Sequence, residues 1–324
     1  MKMKNVTLLI IIILAIALVF FMYKTNKISK RLAFSLDDEK GSFLKNVPSA
    51  EEYVAAVANR GQNKKKGTTP APEPEPIAPI SFFDSFSTSG SLEEGGSIYE
   101  STSPDWWVNS GGRMISSFGN GKTVQNELAT TDKWYKAYLI SNPIDTDLGF
   151  HPQNIFRLVQ LGAWSNMSQQ AYFKINKLNV SESTNRNASN GLLLFNRYQS
   201  GDNLYYTGLR VDGAAVIKKK INGTYYTMAY NQVISGVYNR ISNPNLLPVN
   251  TWIGIKSEVV TGQDNSVVIK FYIDINRTGT WTLAAQATDD SKSFGGSSII
   301  NSGFAGIRTD FIDAEFDDYS VRSI

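Results

Sequence analysis

The chain has 324 residues, 42% hydrophobic and 12% aromatic, which suffices for one large domain or two small ones. There is no Cys and a single His, His151, so disulfides, thiolate metal sites and His-rich metal clusters are excluded and a Ser-His-Asp triad is disfavoured. The net charge of +3 is uneven: residues 1–66 carry twelve Lys/Arg against five Asp/Glu, a net of +7, leaving −4 for the rest, which excludes a nucleic-acid binder on electrostatic grounds.

Val6 to Tyr23 is an uncharged run of eighteen residues, apolar apart from Thr7. As a helix it spans about 27 Å, close to the hydrocarbon thickness of a bilayer. The exit reads FFMYKTNK, with no A-x-A site, so an uncleaved transmembrane anchor is favoured over a cleaved signal peptide. Residues 1–32 are taken as this anchor, with the span at 6–23. Lys24, Lys27, Lys30 and Arg31 follow the span, while Lys2 and Lys4 precede it. That balance slightly favours the C-terminus inside. The character of the downstream domain argues the reverse, a single-pass cell-membrane protein with its C-terminal domain extracellular. Residues 33–62 form a juxtamembrane segment with a short helix, where Ser49 and Glu52 have capping-box spacing. Residues 63–79 hold five of the eleven prolines and read as an extended Lys/Pro-rich stalk.

From residue 80 the texture becomes short β-branched and aromatic runs between Gly/Asn/Ser/Asp turns. About fifteen strands are predicted, among them 80–86, 106–109, 113–116, 134–140, 191–198, 204–210, 214–219, 252–260, 267–275 and 315–322. Hairpin signals fall at Gly201-Asp202, Asp212-Gly213, Asn222-Gly223 and Thr278-Gly279. The fold class is all-β, a two-sheet antiparallel jelly-roll sandwich over residues 80–324. The run LLLF at 192–195 predicts a central strand covered on both faces. In the last strand, alternation predicts that Asp317 and Asp318 point to opposite faces.

Several stretches in order resemble the concanavalin A-like lectin/glucanase superfamily, in particular its laminin-G-like modules. They are FFDSFS (82–87), WWVNSGGRMISS (106–117), GLLLFNRYQSGDNLYYTGLRVDG (191–213), NTWIGIKSEVV (250–260), VIKFYID (268–274) and GFAGIRTDFIDAEFDDYSVR (303–322). The resemblance implies two curved antiparallel sheets with the first and last strands side by side. It also implies a carbohydrate on the concave face or rim, and in many members a Ca²⁺. The superfamily's glucanases use an E-x-D-x-x-E strand. Here Glu315-Phe316-Asp317 is followed by Ser320 where the third acid should stand, so catalysis is not expected.

Sugar binding needs exposed rings for pyranose faces and planar polar groups for hydroxyls. The candidate ligand-binding residues are Trp134, Asn196, Arg197, Tyr205, Tyr206 and Arg210. Arg197 and Arg210 flank the Tyr pair and mark the preferred face. In each adjacent aromatic pair one ring must face the core. The candidate metal ligands are Asp84, Asp317 and Asp318, which would converge on a structural Ca²⁺ if the first and last strands are neighbours. DINRTG (274–279) resembles a short calcium loop but lacks a closing Glu, so a plain hairpin is favoured. The expected function is a membrane-anchored, surface-displayed module that binds a glycan or other cell-surface polymer without catalysis. The alternatives are a glycan hydrolase or lyase with a non-standard site, and an envelope protein–protein module.

Overall fold

The computed structural model describes residues 81–324. The anchor at 6–23, the short juxtamembrane helix and the Pro-rich stalk lie outside the described residues. Among the described residues no helix is long and apolar enough to cross a membrane.

Two antiparallel sheets make up the domain. The first strands are β1 (Ser81–Asp84), β2 (Gly90–Glu93), β3 (Trp106–Ser110), β4 (Arg113–Ser117) and β5 (Asn120–Lys122). The helix α1 (Lys133–Ser141) follows. Then come the long strands β6 (Ile155–Trp164), β7 (Met167–Leu178), β8 (Gly191–Ser200), β9 (Asn203–Arg210), β10 (Ala214–Ile221) and β11 (Thr224–Gln232). The last are β12 (Trp252–Thr261), β13 (Val267–Ile275), β14 (Thr282–Asp289), β15 (Gly303–Asp310) and β16 (Ile312–Ser323). One sheet has nine strands in the order β14-β13-β12-β7-β16-β5-β4-β2, with β1 also on β16. The other has seven, β11-β10-β9-β8-β15-β6-β3. The chain crosses between sheets at β2/β3, β3/β4, β5/β6, β6/β7, β7/β8, β11/β12, β14/β15 and β15/β16. That is the jelly-roll sandwich expected from the strand pattern. The predicted hairpins are all present, joining β8 to β9, β9 to β10, β10 to β11 and β13 to β14.

The core lies between the sheets. Phe173, Ile175, Ile253 and Ile255 from the nine-stranded sheet pack with Leu192, Leu194 and Leu209 from the seven-stranded one. Burying each such side chain contributes about 1.5–3 kcal/mol. The seven-stranded sheet carries a second apolar layer on its outer face, including Trp107, Leu193, Phe195 and Val216. Strand β8 is therefore apolar on both sides, as LLLF predicts.

Two expectations fail. The segment 134–140 is helical, not a strand. Asp132 sits in extended conformation and its carboxylate accepts the N–H of Trp134 at 2.8 Å, capping the helix. The second concerns β16. Asp318 has φ +45 and the pairing with β7 slips between Asp317 and Ser320. This bulge breaks the strict alternation, and both acids reach one guanidinium, Arg277, at 2.8 and 2.5 Å. On its other edge β16 pairs with β5 through Glu315 and Phe316 and with β1 from Tyr319 to Arg322. The first and last strands are thus neighbours, with the bulge between the two pairings.

Candidate functional site

The predicted site residues separate according to the face on which each falls. Asn196, Arg197 and Tyr205 lie between the sheets and are fully buried. Asn196 is an inter-sheet tie: its Oδ1 accepts from Gln169 Nε2 at 2.8 Å and from Ser257 Oγ at 2.7 Å. Arg197 has left-handed backbone, φ +48, where β8 slips against β9. That turn sends its side chain inward, where it donates to the carbonyls of Ser165 at 2.9 Å and Ile299 at 2.8 Å and to Asn166 Oδ1 at 3.2 Å. Burial lowers its pKa to about 10. Tyr205 donates to Asp289 at 2.6 Å and accepts from the N–H of Ile299 at 2.9 Å. Burial, then the bond to Asp289, raises its phenol well above the ordinary value. All three are fully buried, with their polar atoms engaged by protein partners. Trp134 lies on α1, where its indole N–H meets Glu93 at 2.5 Å. It does not join the others.

Tyr206 and Arg210 share the outer face of the seven-stranded sheet, as their spacing along β9 requires. The register brings further residues to that face, because directly opposite residues on paired strands point the same way. Tyr206 stands opposite Phe195 on one side and Lys218 on the other. Lys220 stands opposite Tyr225. The Tyr206 and Tyr225 rings meet edge-on at 5.9 Å. Lys218 Nζ lies 5.8 Å and 5.7 Å from their centroids. Arg308 stands opposite both Leu193 and Arg157. Sequence reasoning missed Lys218, Arg157 and Arg308. For Arg157 the signal was a lone cation between core-facing apolar residues, in Phe156-Arg157-Leu158.

The electrostatics of this face are lopsided. Arg210 is held by Asp212 at 2.7 Å, and its guanidinium lies 5.0 Å from the Tyr230 ring centroid. Arg308 is held by Asp310 at 2.8 Å. That carboxylate outweighs burial and keeps the guanidinium charged. Lys218 has its pKa lowered, first by burial and then by the positive charges of Arg210 and Arg308. Tyr206 is 8% exposed, and burial raises its phenol pKa.

The three candidate metal ligands do not come together. Asp84 accepts the N–H of Phe86 at 2.6 Å and the indole N–H of Trp106 at 2.7 Å. Asp317 and Asp318 are taken by Arg277. Among the described residues no group of three or more His, Cys, Asp or Glu is placed to hold a metal ion. The 274–279 turn is a self-capped hairpin: Asp274 accepts from Thr278 N at 2.9 Å, Thr278 Oγ1 at 2.7 Å and Gly279 N at 2.8 Å.

No protein-family model and no curated protein sequence matches the chain. Solved structures with a similar course include a carbohydrate-binding module, CBM66, from Bacillus subtilis, at 13% identity and TM-score 0.41, over 67% of this chain and 95% of that one. The Ca²⁺-bound exoplasmic/lumenal domain of VIP36 is 8% identical with TM-score 0.40, over 76% of this chain and 90% of that one. A Bacillus licheniformis beta-glucanase is 9% identical with TM-score 0.38, over 75% and 98%. Likeness at this level decides nothing about ligand or activity.

Proposed function

We propose that the domain binds a carbohydrate, without turning it over, on the outer face of the seven-stranded sheet. The observation that carries this reading is the Lys218 ammonium poised over the Tyr206 and Tyr225 rings, with Arg210 and Arg308 in electrostatic range. The partly exposed Tyr225 ring beside cationic donors on one sheet face is the chemistry that orients sugar rings and hydroxyls. The non-catalytic part rests on the acids. Asp212 and Asp310 on this face are each bound to an arginine, and Glu315, Asp317 and Asp318 on the other sheet are paired with Lys174 and Arg277. None of these five has the unpaired geometry of an acid–base couple. The uncharged run at 6–23 and the Pro-rich segment at 63–79 support display of the domain outside a cell membrane on a tether.

The test is a glycan array probed with the full chain and with Lys218→Ala and Tyr225→Ala variants of matched melting temperature. Retained glycan signal in the wild type that drops at least about tenfold in the variants is expected. Release of reducing ends or unsaturated products from any bound polysaccharide would sink the non-catalytic reading.

A further inference from the structure

The chemical class of the ligand is legible in the charges that this face leaves uncompensated. Five cations are gathered there, Arg157, Arg210, Lys218, Lys220 and Arg308, and Lys220 lies 3.8 Å from the carboxylate of Asp202. Arg210 and Arg308 have their own carboxylates, Asp212 and Asp310. Among the described residues neither Arg157 nor Lys218 has a hydrogen bond or an ion pair, although Lys218 touches the two rings. Arg157 stands directly opposite Arg308 across β6 and β15, a like-charge cross-strand pair that costs stability unless something negative sits between or above it. Glu94 lies in electrostatic range of Arg157, but its carboxylate is occupied by the N–H of Gly112 at 2.7 Å and the O–H of Tyr138 at 2.6 Å. Burial also raises the pKa of Glu94, against its charge. The Tyr198 hydroxyl, in a residue 2% exposed, has no hydrogen-bond partner, and it lies in electrostatic range of Arg157. A buried donor left unmatched beside an unpaired guanidinium is what a ligand oxygen would satisfy.

Resting on the carbohydrate reading above, we propose that the ligand is an acidic polysaccharide, whose carboxylates are received by Arg157 with Tyr198 at one end of the face and by Lys218 at the other. Arg308 and Arg210 keep their own acids and act as a positive background. A neutral glycan offers oxygens to the Tyr198 hydroxyl but leaves the Arg157–Arg308 repulsion as it is. An acidic one relieves both.

The experiment compares polygalacturonate with its fully methyl-esterified form, which has the same backbone and no free carboxylate, against the full chain in detergent. Polyglutamate, an acidic chain with no sugar, is the third probe. The expected result is binding of polygalacturonate at least about tenfold tighter than of the ester or of polyglutamate, weakening steeply with salt. Arg157→Gln is expected to remove most of that preference with an unchanged melting temperature. Equal binding of acid and ester would overturn the acidic-ligand proposal and leave the carbohydrate reading standing. Polyglutamate bound as tightly as polygalacturonate would overturn both, as would no binding of either polysaccharide together with a blank glycan array.

Discussion

The two sides of the seven-stranded sheet differ in how completely they match charge: outside, Arg210 and Arg308 have carboxylates but Arg157 and Lys218 do not. On the inner side Lys219 and Asp289 are both wholly buried and meet at 2.8 Å. The Lys219 ammonium also donates to the carbonyl of Gly296 at 2.7 Å, and Tyr205 completes the shell of Asp289. Arg197, also inside, spends its donors on two carbonyls and an amide oxygen. Every one of these charges is matched at home. On the outer side Arg157 and Lys218 are only partly buried and lack a carboxylate of their own. Charges of the first kind hold the fold; charges of the second kind are the ones the proposed ligand would meet.

The contrast breaks first where it should be strongest. Asp289→Ala leaves the Lys219 ammonium buried and unpaired, and we expect a loss of about 3–5 kcal/mol in urea unfolding. Adding Lys219→Met to that variant should recover most of it, since a buried pair replaced by apolar groups is often neutral. Failure of the recovery would mean the loop 290–299 depends on Lys219 itself. Next, Arg197→Ala should cost about 2–3 kcal/mol through two orphaned carbonyls and a cavity. Arg157→Gln on the outer face should stay within about 0.5 kcal/mol. A similar loss at both positions would erase the distinction between the two sides.

The acids offer a pH version of the comparison. Glu315 is held by Lys174 at 2.7 Å and Asn176 at 3.1 Å; burial opposes its charge, but these partners outweigh it and lower its pKa below 4.5. Its folded pKa lies under the unfolded one, so its contribution is complete above the unfolded pKa and is lost as pH falls through the folded one. Glu94 has the opposite shift, from burial, so folding gains as pH falls through its raised folded pKa toward the unfolded value. The melting-temperature gap between wild type and Glu315→Gln should therefore shrink on acidification, while the gap for Glu94→Gln should move the other way. Both gaps moving together would show that one assignment is wrong. A small effect is also expected at the bulge. Arg277 and Asp318 are each about one-third exposed, so Asp318→Ala should cost no more than about 1 kcal/mol.

Much of the architecture is legible in the sequence because alternation is preserved over long strands such as β12 and β13. It fails where polar chemistry overrides pattern. The KWYKAYLI segment has strand-like composition, and the Asp132 cap just before it is the signal that was outweighed. Strands β2 and β5, GSLE and NGK, have almost no apolar content. They exist because neighbours need them: a Cβ on Gly121 of β5 would lie 2.1 Å from the Phe316 ring. For the site, parity correctly places Tyr206 and Arg210 together. It misplaces Arg197 because a left-handed residue resets the count, and no periodicity announces such a residue in advance. Asp317 and Asp318 fail for the same reason. Arg157, Lys218 and Arg308 gather through pairing between strands distant in sequence, so only the register shows them as neighbours.

The pairing of β1 with the end of β16 has a mechanical side. Strand β1 is held on β16 by four residue pairs, from Ser81 opposite Arg322 to Asp84 opposite Tyr319. Load applied along β1 shears all four pairs at once. Load applied across it peels them one at a time from Ser81. The direction of pull, more than the depth of the core, then sets how much tension the attachment withstands, and the Trp106 indole clamped on Asp84 is the rivet at which peeling would stall.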